Sequence, residues 1–350
     1  MTDVANNPER MAEFDGQLED AHMVGQWKFD AQLQKAIGGP APAGLPFIWP
    51  WQTINDMLLR SCDVLKETST IRRTLAFSNP GLPSGSTHAL LSSVQIVLPG
   101  ETEWAHSHAI SALRFVIEGN PDLYTVVNGA PQTMERHDLI LTPAWSWHDH
   151  HNDGDTTGIW LDVLDLPMVA ALKQIAYRVF DGESQPITED RRDDADSRPS
   201  FLRRPSGEIE TANVPPLRLP WSEVERRLSQ LAPEEADPFD GHMLEYFDPL
   251  TGQSVLPTLS CNAQMLPPGF VGKTKRDAAS ALCYVIEGSG TTRIEGHPDI
   301  EWNERDVFVL PNWVWHSHVN RSKNGRAVLF VVNESPMLEK MGINRRERRD

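Results

Sequence analysis

Short stretches of alternating apolar and polar residues dominate the middle of the chain. They begin near Ile71, continue to about Leu166 and resume around Val255, with glycine, proline and Asn-Gly steps between them. A period of two predicts strands with one face in a core, and Asn128-Gly129 is typical of a tight hairpin turn. The pattern therefore predicts a chain dominated by short antiparallel strands.

Helical periodicity is confined to segments around these strands. Residues 14–35 are charged and mildly periodic, and residues 53–66 have apolar positions at helical spacing. Residues 168–180 predict a helix that leaves the first group of strands, and residues 221–231 predict another short helix. Asp, Arg, Ser and Pro crowd residues 182–200, which predicts an exposed linker.

The chain contains an internal repeat. A block reading Val-Ile-Glu-Gly ends at Gly119 and again at Gly288, and Trp-x-Trp-His-x-His occurs at 145–150 and again at 313–318, so the copies are offset by about 169 residues. A repeated run of strands predicts two small barrels. We place an N-terminal helical arm, a first barrel that binds a metal, a linker with short helices, and a second barrel with the C-terminal tail at residues 1–70, 71–167, 168–250 and 251–350, respectively.

The two copies differ in their ionisable residues, which bears on where a metal could bind. Aligned on the glycine of the repeat, Lys275, Asp277 and Cys283 stand where the first copy has His106, His108 and Arg114, and His316 matches His148 within the repeated Trp-x-Trp-His block. The second copy thus lacks two of three histidines. We expect one metal site per chain, in the first barrel, and a metal-free second barrel for packing and assembly, in which His316 is structural. The alternative for that barrel is a pocket in which Lys275 binds an anion.

The three histidines of the first copy have the spacing of a metal site. Residues i and i+2 of a strand face the same side, so His106 and His108 should point inward together, and His148 from a later strand can complete the set. Neutral imidazoles suit Fe(II), Zn(II), Cu(II) or Ni(II), and three on one face leave positions for substrate and oxygen. The alternative for an isolated His-x-His pair is two ordinary histidines, which the repeat makes less attractive.

Composition limits which partners and which cellular compartment we expect for the protein. The net charge of −17 argues against nucleic acid and anionic membranes as partners. We expect no signal peptide, because the first ten residues lack an apolar core, and no transmembrane helix, because no run of 18 apolar residues occurs. The three cysteines have no metal-type spacing, and a reducing cytoplasm is the expected compartment.

The repeat and the histidines together resemble the cupin superfamily, most closely the bicupin branch with gentisate 1,2-dioxygenase, salicylate 1,2-dioxygenase and 1-hydroxy-2-naphthoate dioxygenase. The segments that carry the resemblance are Asn79-Pro-Gly-Leu82, Gln95, Pro99-Gly-Glu101, Ala105-His-Ser-His108, the block ending at Gly119, and Leu141 to His150. The family usually has His-Arg-His-Thr where this chain has His106-Ser-His108-Ala109. The altered neighbours bear on the substrate, because the histidines themselves are kept.

The resemblance implies both fold and activity. The fold would be two cupin barrels of the double-stranded β-helix, or jelly-roll, type. The activity would be an Fe(II)-dependent, extradiol-type ring-cleaving dioxygenase with one iron per chain, inserting both atoms of O2 between the carboxyl-bearing and hydroxyl-bearing carbons of an aromatic hydroxy acid. Gentisate, giving maleylpyruvate, is the leading substrate, with a substituted salicylate or 1-hydroxy-2-naphthoate as alternatives. The family also implies a homotetramer.

Arg114 is the main candidate for binding the substrate carboxylate. An arginine within an apolar strand would be costly to bury without an anionic partner, its planar fork suits a carboxylate, and the resemblance assigns it this role. Arg72 or Arg73 would add a second anion contact, and strand parity lets only one of the two face inward. A surface salt bridge is the alternative for Arg114.

Further residues around the metal are assigned by resemblance and by spacing. Gln95 would hydrogen-bond the substrate, His150 would relay a proton or orient the substrate, and Asp162 would orient His150. A purely structural role is an equal alternative for these three. Trp104, Trp147 and Leu91 are candidates for the pocket wall, although core packing is the alternative for Trp147.

Two other functional classes fit the same barrel. A Zn(II)-dependent cupin isomerase or hydrolase would use the histidines without oxygen. A non-enzymatic bicupin that binds a ligand would need neither an inward His-x-His pair nor Arg114.

Overall fold

The computed structural model of this protein describes residues 8–65, 72–188, 202–203 and 217–350. The chain divides into two compact units, residues 1–41 and 42–350. The first unit is helical, as the periodicity of residues 14–35 predicts. Its elements are α1 (Pro8–Asp20), one turn of 3-10 helix (Gln26–Phe29) and α2 (Asp30–Lys35).

Strands dominate the second unit, with a few short helices between them. Its helices are α3 (Trp51–Val64), α4 (Leu166–Ala171), α5 (Trp221–Leu228) and α6 (Ser335–Lys340). The strands up to the linker are β1 (Phe47–Trp49), β2 (Thr74–Ala76), β3 (Leu91–Val97), β4 (Thr102–His108), β5 (Ala112–Glu118), β6 (Asn120–Val127), β7 (Ala130–Met134), β8 (Leu139–Thr142), β9 (His148–Asn152), β10 (Gly158–Leu164) and β11 (Tyr177–Val179). The later strands are β12 (Leu202–Arg203), β13 (Arg218–Leu219), β14 (His242–Tyr246), β15 (Ser260–Leu266), β16 (Thr274–Asp277), β17 (Ala281–Glu287), β18 (Ser289–Ile294), β19 (Ile300–Asn303), β20 (Val307–Leu310), β21 (His316–Asn320), β22 (Ala327–Asn333) and β23 (Arg346–Arg349).

The strands pair into two barrels of two sheets each, which confirms the predicted two-barrel, strand-rich fold. In the first barrel, the sheet β13-β8-β5-β10-β3-β2 faces the sheet β11-β4-β9-β6-β7. In the second, β1-β20-β17-β22-β15-β14-β12 faces β19-β18-β21-β16-β23. Pairing is antiparallel wherever it is recorded, so each barrel can close with short turns.

One hydrophobic core joins the two barrels. Phe115 of β5 stacks on Phe330 of β22 with 4.2 Å between ring centroids, and Tyr284 of β17 packs beside both within the same buried cluster. These residues are fully buried, so β5 and β22 present apolar side chains to the other barrel. The barrels therefore behave as one folded body rather than as two modules on a tether.

Segments from outside each repeat complete the sheets. β1 comes before the first barrel but pairs with β20 of the second, and β13 lies in the segment expected to be linker but pairs with β8 of the first. Strand β14 also lies within the sequence segment expected to be linker. Residues 42–65, expected in the helical arm, belong to the barrel unit, because Ile54 and Leu58 of α3 enter its core.

The helix expected at residues 168–180 is wrong over most of its length. Helix α4 ends at Ala171, two residues before Lys173, which has a positive φ of 59° and turns the chain. Residues 177–179 then form β11, paired edge to edge with β4. Sequence periodicity misses this change because the residues of an edge strand are exposed on both faces here and carry no alternation.

Three local predictions are confirmed. Asn128 and Gly129 both have positive φ, 49° and 82°, and form the two-residue turn between β6 and β7. Helix α3 covers nearly all of residues 53–66, and α5 covers most of residues 221–231. The predicted start of the first strand at Ile71 and most of the predicted linker lie outside the described residues.

A reciprocal pair of buried carboxylates links the barrels. Asp165 accepts hydrogen bonds from the Ser111 amide at 2.9 Å and, across the interface, from the Thr258 hydroxyl at 2.6 Å. At the equivalent place in the repeat, Glu334 accepts from the amide and hydroxyl of Ser280, whose hydroxyl in turn contacts that of Thr87 at 2.9 Å across the same interface.

The Glu334 carboxylate should make stability depend on pH. Burial raises its pKa to about 7, so between its ordinary pKa near 4.5 and about 7 the folded chain holds a proton that the unfolded chain releases. Stability should therefore fall as pH rises through this window, by at most about 3 kcal/mol. E334Q, which stays neutral, should lose that part of the pH dependence when urea unfolding is measured at pH 5 and at pH 7.5.

Glu301 offers a matched control, because it is an exposed glutamate of the same barrel. E301Q should leave the difference in unfolding free energy between the two pH values as in the parent. Parallel pH dependences for E334Q and the parent would show that Glu334 does not contribute.

Among the described residues, no helix is long and apolar enough to cross a membrane.

Candidate metal centre

Three histidine side chains converge inside the first barrel. His106 and His108 lie on β4, and His148 begins β9 directly opposite His106 in the ladder. His106 and His148 are buried, His108 is partly buried, and one nitrogen of each ring lies within 4.8 Å of the other two. The three histidines, which are separated in the sequence, thus form one cluster in the structure.

A backbone carbonyl lies within hydrogen-bond distance of Nδ1 of each imidazole. The Nδ1-to-oxygen distances are 3.1 Å (His106 to Trp104), 2.7 Å (His108 to Ile110) and 3.0 Å (His148 to Ser146). A carbonyl oxygen only accepts, so Nδ1 of His108 and Nδ1 of His148 carry the proton and their Nε2 atoms keep a lone pair, whereas Nδ1 of His106 also lies 2.7 Å from Nη2 of Arg72. For His108 and His148, this is the tautomer in which a histidine binds a metal through Nε2.

The three rings are neutral at physiological pH. Burial lowers the pKa of His106 to about 2 and that of His108 to about 4, with nearby arginines adding to the effect. Burial also lowers the pKa of His148 far below its usual value, and Arg114 lowers it further. Neutral imidazoles are the form that binds a metal, so no proton has to be displaced.

The donor set fits a transition-metal ion. Nε2 of His148 is fully buried and has no hydrogen-bond partner among the described residues. An unsatisfied buried nitrogen costs about 1–3 kcal/mol, and a bound cation removes that cost. The Arg72 guanidinium also lies at this cluster, with its Nη2 atom 3.0 Å from Nε2 of His106.

Arg114 lies on β5, in the opposite sheet, and is 5% exposed. Its guanidinium Nε is 3.3 Å from Asp162 Oδ1, directly across the ladder on β10, and Nη1 donates to the Thr142 hydroxyl. Burial raises the pKa of Asp162 to about 6, although Arg114 opposes this. The arginine is therefore a buried, oriented cation in the same barrel as the histidines.

The structure brings Arg72, and not Arg73, to the histidine cluster. The Arg72 guanidinium contacts His106 and lies 3.7 Å from Glu103. Arg73 turns the other way, because it donates two hydrogen bonds to Glu101, at 2.8 and 2.7 Å, and one to the carbonyl of Leu65. Parity along the strand predicts this opposition but not which arginine faces inward.

His150 joins the cluster, but Asp162 does not orient it. Nδ1 of His150 lies 2.7 Å from the Thr125 hydroxyl oxygen on the neighbouring strand β6. Asp162 instead pairs with Arg114 and accepts a hydrogen bond from Trp160 Nε1 at 3.2 Å. The prediction that Asp162 orients His150 is wrong, because Asp162 pairs with Arg114 across the β10–β5 ladder and Nδ1 of His150 is taken by Thr125.

Glu103 is a buried carboxylate on β4. Strict alternation counted from His106 and His108 would place it on the outer face of the barrel. A bulge in β4 sets Glu103 opposite His150 and His106 opposite His148, so an odd separation of three residues still leaves both facing the interior. Gln95 of β3 donates from Nε2 to Glu103 Oε2 at 2.5 Å. Burial raises the pKa of Glu103 to about 7, against the influence of Arg72.

Tyr177 is a second residue that sequence reasoning misses. It lies on β11 beside the opening of the barrel, and its ring stacks on His106 with 5.3 Å between centroids. The residue is 58% exposed, so the stack forms at the rim of the histidine cluster. The expectation of a helix at this point in the sequence conceals it.

The candidate wall residues occupy different places. Leu91 is on β3 with the parity of Gln95, which points it to the same interior. Trp104 is half-buried at the β4 bulge, and its carbonyl contacts His106. Trp147 precedes the strand of His148, and its ring packs edge-on against Phe180 at 5.1 Å.

In the second barrel, an internal ion cluster occupies the position of the histidine triad. The ammonium of Lys275 lies 2.5 Å from Asp240 and 3.0 Å from Asp277, beside a cavity of about 1000 Å³. Although burial disfavours the ammonium, these carboxylates raise the pKa of Lys275. These ion pairs already give Lys275 two anionic partners, and the alternative that it binds a further anion stays a prediction.

Comparison with known proteins places the chain among relatives over nearly its whole length. A model described as "Cupin domain" matches residues 93–164 and 262–333. A 1-hydroxy-2-naphthoate 1,2-dioxygenase of Nocardioides sp. (strain KP7) is 39% identical, over 94% of this chain and 86% of that protein. A 5-aminosalicylate 1,2-dioxygenase of Comamonas sp is 35% identical, over 93% and 87%. The crystal structure of a salicylate 1,2-dioxygenase from Pseudoaminobacter salicylatoxidans with gentisate superposes with a TM-score of 0.83 and 26% identity, covering 99% of this chain and 96% of that one.

Proposed function

This chain belongs to the bicupin family of gentisate, salicylate and 1-hydroxy-2-naphthoate 1,2-dioxygenases, and we propose that it is an Fe(II)-dependent member with gentisate as its leading substrate. Proteins of this family are oxidoreductases that cleave an aromatic ring with O2. The observation that carries the proposal is the cluster of three neutral histidines with inward Nε2 atoms, facing a buried arginine in the same barrel.

Fe(II) is the metal we assign to His106, His108 and His148. An all-imidazole set is compatible with several divalent metals, and the oxygen chemistry of the family selects a redox-active one. When bound, iron would supply a centre at which an aromatic acid and O2 are held together and exchange electrons. The second barrel, with Lys275 and Asp277 in place of two ligands, takes no part in this and is assigned to packing and assembly.

The chain's own residues would bind and orient the substrate. Arg114 is held by Asp162 and Thr142 with its fork inside the barrel, where it can take a carboxylate bidentately. Arg72 reaches the same space from the rim and would add a second contact to the acid. Placing both cations in one barrel offsets the repulsion that an anionic substrate meets from a chain of net charge −17.

His150 would accept the hydrogen bond of the substrate's ring hydroxyl. The Thr125 hydroxyl donates to Met134 Sδ at 3.1 Å, so its oxygen accepts from His150 Nδ1 and leaves Nε2 with the lone pair. Burial lowers the pKa of His150 far below its usual value, and Arg114 lowers it further, so the ring is neutral. A neutral acceptor fixed in this way orients a hydroxyl group and can receive its proton.

A substituted salicylate or 1-hydroxy-2-naphthoate is the alternative substrate, and the relative from Nocardioides favours the latter by its name. The zinc isomerase, zinc hydrolase and non-enzymatic alternatives are set aside, because the family is one of dioxygenases. The homotetramer and the cytoplasmic location stay predictions.

Oxygen consumption by protein loaded anaerobically with Fe(II) tests the proposal. We expect uptake of one O2 per molecule of gentisate lost, with slower uptake for salicylate, 5-substituted salicylates and 1-hydroxy-2-naphthoate in separate cells. Zn(II)-loaded protein is the control and should take up none. If iron binds at one per chain and no substrate of this set drives uptake, the metal site stands and the proposed reaction is wrong.

A further inference from the structure

A strap formed by residues 177–188 runs along the strands that carry the three histidines. It begins with β11, which pairs with the end of β4 that holds two of them. Beyond β11, the Phe180 amide donates to the Ala105 carbonyl at 3.2 Å, and the Ala105 amide donates to the Glu183 carbonyl at 2.8 Å. The strap is therefore bonded to β4 on both sides of the Ala105 peptide.

Gln185 connects the strap to the next two strands of the same sheet. Its backbone amide donates to Oδ2 of Asp149 on β9 at 2.6 Å, and its side-chain Nε2 donates to the Val126 carbonyl of β6 at 3.1 Å. Its side-chain Oε1 accepts from the Gly129 amide, in the turn between β6 and β7, at 3.2 Å. One segment thus holds three neighbouring strands, β4, β9 and β6.

The strap is attached where the pairing of the ligand strands is irregular. The ladder joins Glu103 to His150 and His106 to His148, so the bulge places two residues of β4, one of them Ala105, opposite a single residue of β9. That single residue is the aspartate between the two histidines. Because a bulge interrupts a ladder locally, a second connection at this place constrains how β9 lies against β4.

Asp149 is the residue through which the strap holds β9. Since His148 and His150 face the interior, Asp149 between them faces the opposite side of the sheet. It is 0% exposed, and its Oδ1 has no hydrogen-bond partner among the described residues and lies 3.5 Å from Nε2 of His151. Burying a carboxylate that receives one hydrogen bond is costly, so space filling alone does not account for this residue.

The second copy of the repeat has no carboxylate at this position. Ser317 stands where the first copy has Asp149, between the two histidines that both copies keep. The second copy also lacks two of the three histidines of the first. The aspartate therefore occurs in the copy that has the complete set of histidines.

We propose that Asp149 is a positioning residue of the metal centre, which fixes His148 and His150 by anchoring the strap to β9. The inference rests on the metal site of the proposed function and adds a residue that touches neither metal nor substrate. Loss of the anchor leaves all three imidazoles in the chain but lets β9 shift against β4. Metal binding then weakens although the donor set is unchanged.

D149S tests this role, because serine is the residue that the second copy has here and its side chain is one bond shorter. Titration of the metal-free protein with Co(II), without substrate or oxygen, should show an affinity lowered roughly 10- to 100-fold, as for other groups that support metal ligands. The visible absorption of bound Co(II) should also change, because it depends on the geometry of the ligands. D149N should restore both, since the asparagine oxygen can still accept from the Gln185 amide.

A second pair of variants removes the donor of the same hydrogen bond and leaves Asp149 in place. Q185P lacks the backbone N–H, whereas its control Q185A lacks the same side chain but keeps the N–H. Co(II) affinity should be roughly 10-fold or more lower in Q185P than in Q185A, and this comparison decides the matter if D149S does not fold. S317A changes the equivalent position of the second barrel and should keep the affinity and spectrum of the parent.

Urea midpoints of the metal-free variants separate positioning from support of the fold. If D149S lowers the midpoint while the folded protein keeps the Co(II) affinity and spectrum of the parent, Asp149 is only structural and the inference is overturned. Equal Co(II) affinities of Q185P and Q185A would overturn it as well.

The same titrations distinguish this inference from the proposed function. A parent that binds no Co(II) would refute the metal site and the inference together. A parent that binds Co(II) but, with Fe(II), cleaves none of the acids would refute the proposed reaction alone, and a weakened D149S would still establish Asp149 as a positioning residue.

Discussion

Replacing His148 with alanine should remove both bound iron and ring cleavage. His148 contributes a buried Nε2 that has no hydrogen-bond partner among the described residues, and its loss leaves two ligands on one strand. Changes to groups that merely support metal ligands cost roughly 10- to 100-fold in affinity or activity, so the loss of a ligand should lower kcat/KM by more than about 100-fold. Iron content after gel filtration and oxygen uptake with gentisate measure the two effects.

The internal repeat supplies the matched control for this variant. His316 occupies the equivalent strand position, and its Nδ1 contacts the Val314 carbonyl at 3.0 Å as that of His148 contacts Ser146. H316A should keep full iron content and turnover. Iron at one per chain in H148A with undiminished uptake would refute the assignment of the triad.

Replacing Arg114 with cysteine should lower kcat/KM for gentisate by at least about 100-fold and also destabilise the fold. The variant loses the cation proposed to hold the substrate carboxylate, at about 1.5–3 kcal/mol for each charged hydrogen bond. It also leaves Asp162 buried without its partner, which costs about 3–5 kcal/mol. Loss of activity alone would therefore be ambiguous, because unfolding could produce it.

The second barrel shows how to separate the two effects. Cys283 and Val331 pair across the ladder where the first barrel pairs Arg114 with Asp162. The double variant R114C/D162V thus copies a combination that this fold already packs, and an apolar pair can replace a buried ion pair at little or no cost. Its urea midpoint should return close to that of the parent while its activity stays lost.

Three measurements on these variants decide the matter. Iron should remain at one per chain in both, because neither change touches a ligand. Anaerobic calorimetry should show weakened binding of gentisate. Unchanged gentisate affinity in R114C/D162V would remove Arg114 from carboxylate recognition and leave it a structural residue.

The histidine cluster could be predicted because its geometry is local. Alternation along one strand aligns His106 with His108, and the repeat identifies His148 as the residue that its partner copy also keeps. The pairing of barrels is likewise predictable from the repeat. Roles that depend on which strands are neighbours could not be predicted, because the spacing of residues along a sequence does not say which strands pair.

Asp162 and Glu103 show the two ways in which such reasoning fails. Asp162 was expected beside His150 but lies against Arg114, because β10 pairs with β5. Glu103 has the parity of an outward residue, and one extra residue in β4 turns it inward. A bulge leaves no clear mark in a single sequence. The inward position of Glu103 is for that reason visible only in three dimensions.

In the second barrel, the ammonium of Lys275 supplies the positive charge that a metal would supply in the first barrel. An ammonium held between Asp240 and Asp277 cannot be chelated, exchanged or oxidised away, whereas a metal in the first barrel can. Because the two barrels share one core through Phe115 and Phe330, we expect the second barrel to fold without metal and to support the first barrel through that core.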